Sequence, residues 1–347
     1  MASHVSLEDL STAARGLADH PQDHGWKAIY RLFDYGLHHS APRLGQILLG
    51  SYERRPTSPT HLLTLLGIAL KSEFPDLFVV LSDGGSSEDH IARLERTIAA
   101  NADIFSNILL RRQNSFTCAR RFLVPQVLLG AYFASQDNVG LRFADLGAGL
   151  GILARQLNSQ HQYDCFSSEL TWPGGVAKFR NLRLEVAHAI DRGPLPDLDW
   201  VRKCYGPSDY YSEMYQELLL ALSDPDVVSA PVQSHVLDIM DTEAVAAFLT
   251  ANRINVANVT YVLYELPARS RADVIRAVVD SLSPPGLLLV TEPCDELHRQ
   301  GCIVELYKGG GNHRPLTLCF ISDGHFKGHV IPLEDYQEFE NIYPIAY

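Results

Sequence analysis

Asp145, Gly147, Gly149 and Gly151, within "FADLGAGLG" (143–151), set one carboxylate two residues ahead of three alternate glycines. Glycine lets a backbone approach a ligand that a Cβ would exclude. A carboxylate at that place accepts hydrogen bonds from an ammonium or a hydroxyl. An apolar run precedes the motif and the helix-like "ILARQL" follows it, so the unit reads as strand, turn, helix. Open α/β sheets bind ligands at such turns, outside the carboxyl ends of their strands. The bland alternative is a tight turn in a buried sheet that holds nothing.

Other side chains fall at comparable places. Glu169 closes the strand-like "YDCFSSEL", about 20 residues after the first glycine, an interval that suits an acid for ribose hydroxyls. Asp191 in "VAHAID" is its rival, if residues 159–185 are an inserted hairpin and "LRLEVAHAI" is the true second strand. Asp238 and Ile239 lie in "HVLDIMD", an acid and an apolar residue closing another strand-like run. Tyr264 and Glu265 end the run "VTYVLYEL", and His298 follows "LLLVTEP" by a few residues. Glu265 and His298 are the candidates for a general base, with a solvated loop as the plainer setting for the histidine. The tract "RRQNSFTCARR" (111–121) reads as a helix face able to clamp a carboxylate, or as an ordinary solvated face.

Two regions must position these residues. Residues 1–135 read as helical. "SLEDLSTAARGLADH" starts with a serine cap, "SPTHLLTLLGIALKS" has Pro59 at its first turn, and 88–112 form one long amphipathic pattern with Ile91, Leu94, Ile98, Ile104 and Leu109 to one side. Residues 136–347 alternate short apolar runs with helices, which predicts a mostly parallel sheet covered by helices. The tail carries two strand-like runs about glycine-rich turns, a pattern for antiparallel strands at the sheet edge, with Asp323-Gly324 as a hairpin turn.

Composition narrows the field. The 347 residues are 46% hydrophobic and 20% charged, a globular balance, and the formal charge of −12 disfavours a nucleic-acid backbone as partner. No stretch of about 18 apolar residues predicts a membrane span, and no basic-then-apolar leader opens the chain. Six scattered cysteines without a CxxC pair predict reduced thiols, a cytoplasmic setting and no zinc cluster.

The acid followed by GxGxG resembles motif I of the class I S-adenosylmethionine-dependent methyltransferases. The segment 259–293, "VTYVLYELPARSRADVIRAVVDSLSPPGLLLVTEP", is similar to motif IV and its sequel in small-molecule O-methyltransferases, with Tyr264 where a histidine is usual and "SPPG" for "PGG". A looser likeness over roughly 60–330 is to a bacterial family of uncharacterised proteins with a methyltransferase-like domain behind a helical N-terminal region. The resemblance implies a Rossmann-like α/β sheet and S-adenosylmethionine as cofactor. Asp145, Gly147, Gly149 and Gly151 would then hold the amino-acid end, Glu169 the ribose, Asp238 and Ile239 the adenine, with Tyr264 beside them. It also implies methyl transfer to a small-molecule oxygen or nitrogen nucleophile, with a catalytically inactive binding or scaffold protein as the alternative; the chain leaves its oligomeric state open, a homodimer among the assemblies.

Overall fold

Side chains set the ends of the helices expected before residue 135. In a computed structural model describing residues 5–19, 24–39, 41–83, 87–134, 139–294, 301–310 and 313–347, Ser6 and Asp9 cap the helix Leu7–Ala18 reciprocally, each accepting the other's backbone N–H. The helix Pro59–Glu73 starts at Ser58, whose Oγ accepts the His61 N–H at 3.1 Å. The pattern over 88–112 is two helices rather than one. Ser87–Ala100 and Ala102–Arg111 meet at Asn101, whose side chain donates to the Thr97 carbonyl at 3.0 Å. The break shifts the phase, so Phe105 is buried where Ile104 was expected, and Ile104 is 40% exposed.

The chain divides into two compact units. The first draws on Met1–Phe116, Leu198–Tyr215 and Glu265–Pro267. Its core interleaves Phe33, Leu44, Leu62, Leu66 and Phe105 from four helices with Trp200 from the helix Leu198–Cys204. The second draws on Thr117–Asp197, Gln216–Tyr264 and Ala268–Tyr347 and holds the sheet.

Among the described residues, nine strands build that sheet: β1 Leu141–Leu146, β2 Leu170–Thr171, β3 Leu184–Asp191, β4 Val232–Val236, β5 Val256–Thr260, β6 Leu287–Pro293, β7 Cys302–Lys308, β8 Leu316–Ile321 and β9 Gly328–Pro332. Their order is β2-β9-β8-β7-β6-β5-β1-β3-β4. The block from β4 to β6 is parallel, and β7, β8 and β9 follow antiparallel. This is the Rossmann-like α/β arrangement expected, mostly parallel at its centre with an antiparallel C-terminal edge. Parallel strands buried on both faces read as continuous apolar runs, and "LLLV" of β6 is buried throughout.

The chain leaves β1 for β3 and β4 on one side, then returns to β5 and β6 on the other. That reversal makes the carboxyl end of β1 a topological switch point, where the strand–helix connections part and leave a crevice.

Several expectations need correction. "YDCFSSEL" is no strand: Gln160–Phe166 is a helix and Ser167–Glu169 a 3-10 turn, leaving only the two-residue β2 beyond. Residues 112–122 carry no helix, so the arginine tract has no helical face. Among the described residues the tail holds three strands rather than two, and Asp323-Gly324 lies in the turn between the antiparallel neighbours β8 and β9, where Phe326 takes φ 63°. Among the described residues, no helix is long and apolar enough to cross a membrane.

Mid-sheet, His188 of β3 is buried with its Nδ1 2.9 Å from His235 Nε2 of β4 and its ring edge-on to Phe248. Burial, then His235 and Arg142, lowers its pKa to about 4. The unfolded chain therefore takes up a proton below about pH 6.5 that the folded chain refuses. The stability this gives is full above pH 6.5 and is lost as the pH falls towards 4. The urea midpoint of the parent relative to that of His188→Asn should drop as the pH falls across that window; a difference that stays constant with pH would refute the assignment.

Candidate functional site

The turn after β1 is glycine because its backbone demands it. Gly147, Gly149 and Gly151 have φ of 77°, 55° and 68°, the left-handed region that other residues enter at a cost. Space adds a second reason at two of them. A Cβ on Gly147 would strike the Val262 side chain, and one on Gly151 would lie 3.0 Å from Ala189 Cβ. At Gly149 the nearest atom to such a Cβ is Thr117 Oγ1 at 3.1 Å.

The turn is tied to the neighbouring strand. Gly147 and Ala148 both donate to the Ile190 carbonyl, at 2.8 and 3.0 Å. Gly149 donates to Asp191 Oδ2 at 2.8 Å, and Arg192 N–H donates to the other oxygen at 2.7 Å. Asp191 therefore stands at the carboxyl end of β3, beside β1, with both oxygens oriented by backbone donors.

Asp145 lies level with Ala189 on β3 and Asn258 on β5, and is 3% exposed. Asn258 Nδ2 donates to its Oδ1 at 2.8 Å. Burial pushes its pKa up to about 7; the Asn258 hydrogen bond lowers it, the Asp191 charge raises it, and Arg121 lowers it. The two acids thus share one field, and a cationic group placed between them would relieve their repulsion.

Glu169 does not join this cluster. It sits in the 3-10 turn before β2, a strand that pairs only with β9, and its Oε1 accepts Arg120 Nη2 at 2.8 Å. Arg120 also holds Glu217 through two nitrogens, at 2.9 and 2.7 Å, and Lys327 reaches Glu217 at 3.0 Å. The sequence interval to Glu169 misleads because two helices, a turn and the short β2 lie between β1 and the next strand of the parallel block. Asp191 holds the position that Glu169 was expected to take.

Asp238 follows β4 and receives Arg192 Nε at 2.9 Å and the Met240 N–H at 3.0 Å. Ile239 beside it is buried. Tyr264 lies in the 3-10 turn Leu263–Glu265. Its ring stands edge-on to that of Tyr261, with centroids 6.1 Å apart.

Two residues of this site, Glu292 and Tyr261, went unmarked in the sequence, and a third, Arg121, was marked only as part of the tract 111–121. Glu292, near the end of β6, accepts the N–H groups of Val262 and Leu263 on one oxygen, both at 2.9 Å, and that of Tyr264 on the other at 3.0 Å. One carboxylate fastens the whole loop beyond β5. Tyr261 opens that loop with φ 57°, a strained value for an aromatic residue. Arg121 lies over its ring, 4.2 Å from the centroid. The acid ending "LLLVTEP" was the available signal for Glu292; nothing in the local pattern separates Arg121 from Arg120.

The candidate bases fare differently. Glu265 belongs to the first unit. Its carbonyl accepts the Ser58 N–H at 2.9 Å and the Thr57 hydroxyl at 2.7 Å, and its Oε2 lies 3.1 Å from Nδ1 of the buried His61. His298 lies outside the described residues. Among the described residues, no three His, Cys, Asp or Glu side chains are grouped to hold a metal ion.

No protein-family pattern matches the chain, and no curated protein matches it. Among solved structures, 24 chains match. One is an O-methyltransferase family protein from Burkholderia thailandensis, 15% identical, with a TM-score of 0.29. That superposition takes in 69% of this chain and 57% of the other, so the chain covers less than two thirds of its neighbour's length.

The raised pKa of Asp145 has a measurable cost. Between about pH 4 and 7 Asp145 in the folded chain keeps a proton that the unfolded chain releases, so the contribution of this group to stability falls as pH rises through that window. Asp145→Asn keeps an acceptor for Asn258 and removes the buried charge. Its thermal midpoint should exceed that of the parent at pH 8, by the equivalent of up to about 4 kcal/mol, and by less at pH 5. An equal difference at both values would contradict this origin.

Proposed function

We propose that the second unit binds S-adenosylmethionine and transfers its methyl group to a small-molecule oxygen or nitrogen nucleophile. The observation that carries this is the use of the Gly149 N–H. A turn built for pyrophosphate aims its N–H groups, and the start of a following helix, at the phosphate oxygens. Here Gly149 donates to Asp191, Gly147 and Ala148 donate to Ile190, and the helix that follows, Ile152–Gln156, spans only 5 residues. Two carboxylates stand where a dinucleotide would bring negative charge. They suit a ligand with an ammonium, a sulfonium and ribose hydroxyls.

The residues present fit such a ligand. Asp145 is buried with an acceptor for an ammonium, and Asp191 has its oxygens pre-oriented for a ribose diol. Asp238 and Ile239 follow β4, in reach of the same crevice by topology, for the adenine. Gly149 keeps a Cβ out of the turn between them. When bound, S-adenosylmethionine supplies an electrophilic methyl on sulfur. The chain's own contribution is orientation: fixed acceptors and a fastened loop hold ligand and nucleophile in line, which lowers the entropic part of the barrier.

A second reading, a member that binds without turnover, draws on one observation. Glu265, the candidate base at the end of the motif IV run, has its carboxylate against His61.

Calorimetry on the full chain separates these readings. S-adenosylmethionine and S-adenosylhomocysteine should both bind, reduced nicotinamide dinucleotide should not, and Asp191→Ala should weaken the sulfur nucleosides at least about tenfold. Formation of S-adenosylhomocysteine with a panel of phenols, carboxylic acids and amines then distinguishes an enzyme from a binder. Absence of heat with both sulfur nucleosides would end the cofactor assignment.

A further inference from the structure

The sheet ends differently at its two sides. At one side β2 is two residues long and runs into a tight turn in which Trp172 and Gly175 exchange backbone hydrogen bonds, so that edge is short. At the other side β4 closes the order with five residues, and among the described residues no strand pairs beyond it. Its register on β3 decides which backbone groups are used. Leu237 N–H donates to the Asp191 carbonyl at 2.8 Å and His235 lies level with Ile190, so residues 233, 235 and 237 turn their N–H and C=O groups towards β3. Ser234 and Val236 therefore turn theirs outwards. Val232 N–H is taken by the Ala230 carbonyl at 2.8 Å, which leaves the Val232 C=O on the outer side.

Native proteins guard an open edge with charge, proline or a bulge, because outward backbone groups recruit another strand. β4 itself carries none of these, Pro231 standing just before it. Residues 227–237 hold no Asp, Glu, Lys or Arg, in a chain of formal charge −12. Two copies so charged repel over most of their surfaces, and an uncharged stretch is where they approach at least cost. The side of the sheet that carries Ser234 is also apolar. Ala189, level with Ser234, is the side chain that a Cβ on Gly151 would meet, which places the helix Ile152–Gln156 on this side. Pro225–Ser229 packs on that helix, and Arg155 reaches the Val228 carbonyl at 3.4 Å. Here Val228 is 61% and Val236 66% exposed.

We propose that two copies of this chain pair antiparallel through β4, about a two-fold axis at Ser234. The edge is its own complement. Each Ser234 N–H donates to the Ser234 carbonyl of the second copy, and each Val236 N–H donates to the Val232 carbonyl of the second copy. Two outward donors in each copy make four bonds, and none is left over. On the apolar side Val232 stands against Val236 of the second copy, twice, with Val228 alongside. On the other side Gln233 stands against His235 of the second copy. A peptide could satisfy the backbone groups of any open edge. The two-fold arrangement is favoured because it also sets valine against valine and brings no charge to the contact. The pairing is independent of the cofactor reading.

Analytical ultracentrifugation of the full chain, from about 1 to 200 μM, is the test. A contact of this size suits a reversible equilibrium, so the protein should pass from mostly monomer to mostly dimer within that range. Raising salt from about 0.05 to 0.5 M screens the net charge and should tighten the dimer at least about twofold. Val236→Asp sets a carboxylate against Val232 of the second copy and should weaken the dimer at least about tenfold. Ser234→Pro removes an outward donor and none that β3 uses, and should weaken it likewise. Circular dichroism and thermal midpoints matching the parent's show that Val236→Asp is folded. A parent that stays monomeric throughout the range overturns the pairing, and needs no variant. A dimer that both variants leave unchanged lies elsewhere on the surface and overturns it too. So does a dimer that salt weakens, since ion pairs would then hold it.

Discussion

A carboxylate buried beside a second carboxylate is the constraint around which the sheet domain is arranged. Asp145 is held at the end of β1 by its place in the strand ladder, where water cannot solvate it and Asp191 opposes its charge. Folding tolerates this because the surroundings offset it in part. Asn258 donates from the next strand, Arg121 lends positive charge, and the glycine turn spends an N–H on Asp191. Such an arrangement works against stability, and acids perturbed in this way gather at functional sites.

The architecture explains why the acids meet. β1 lies between the outward run to β3 and β4 and the return run to β5 and β6, so residues far apart in sequence reach one crevice through strand ends. Asp145, Asp191, Asp238, Tyr261 and Glu292 each lie at or just beyond the carboxyl end of a different parallel strand. The antiparallel extension through β7, β8 and β9 enlarges the sheet without altering that crevice's order.

What was legible in the chain was local chemistry. Acid and alternate glycines announced a tight turn after a strand, because positive φ has few other solutions, and continuous apolar runs announced buried parallel strands. What was not legible depended on insertions and on direction. Glu169 had the right interval and the wrong strand, since residues between β1 and β3 fold as two helices, a turn and a short edge pairing. Asn101 splits a pattern whose apolar spacing reads as continuous, and only the shift from Ile104 to Phe105 betrays it. Arg120 and Arg121 are identical as letters; packing sends one to a pair of glutamates and the other to an aromatic face. Periodicity on an assumed helix could not find that difference, because 112–122 is not helical.

Glu292 acts on time as well as on place. Three successive amides anchored on one carboxylate of β6 make the connection after β5 part of the sheet's rigid body. The entropy of ordering Tyr261 and Tyr264 is therefore spent during folding, before any small molecule arrives. A visitor to the crevice meets walls already in position, and its residence there depends on contacts made instead of on a loop that must first be tamed.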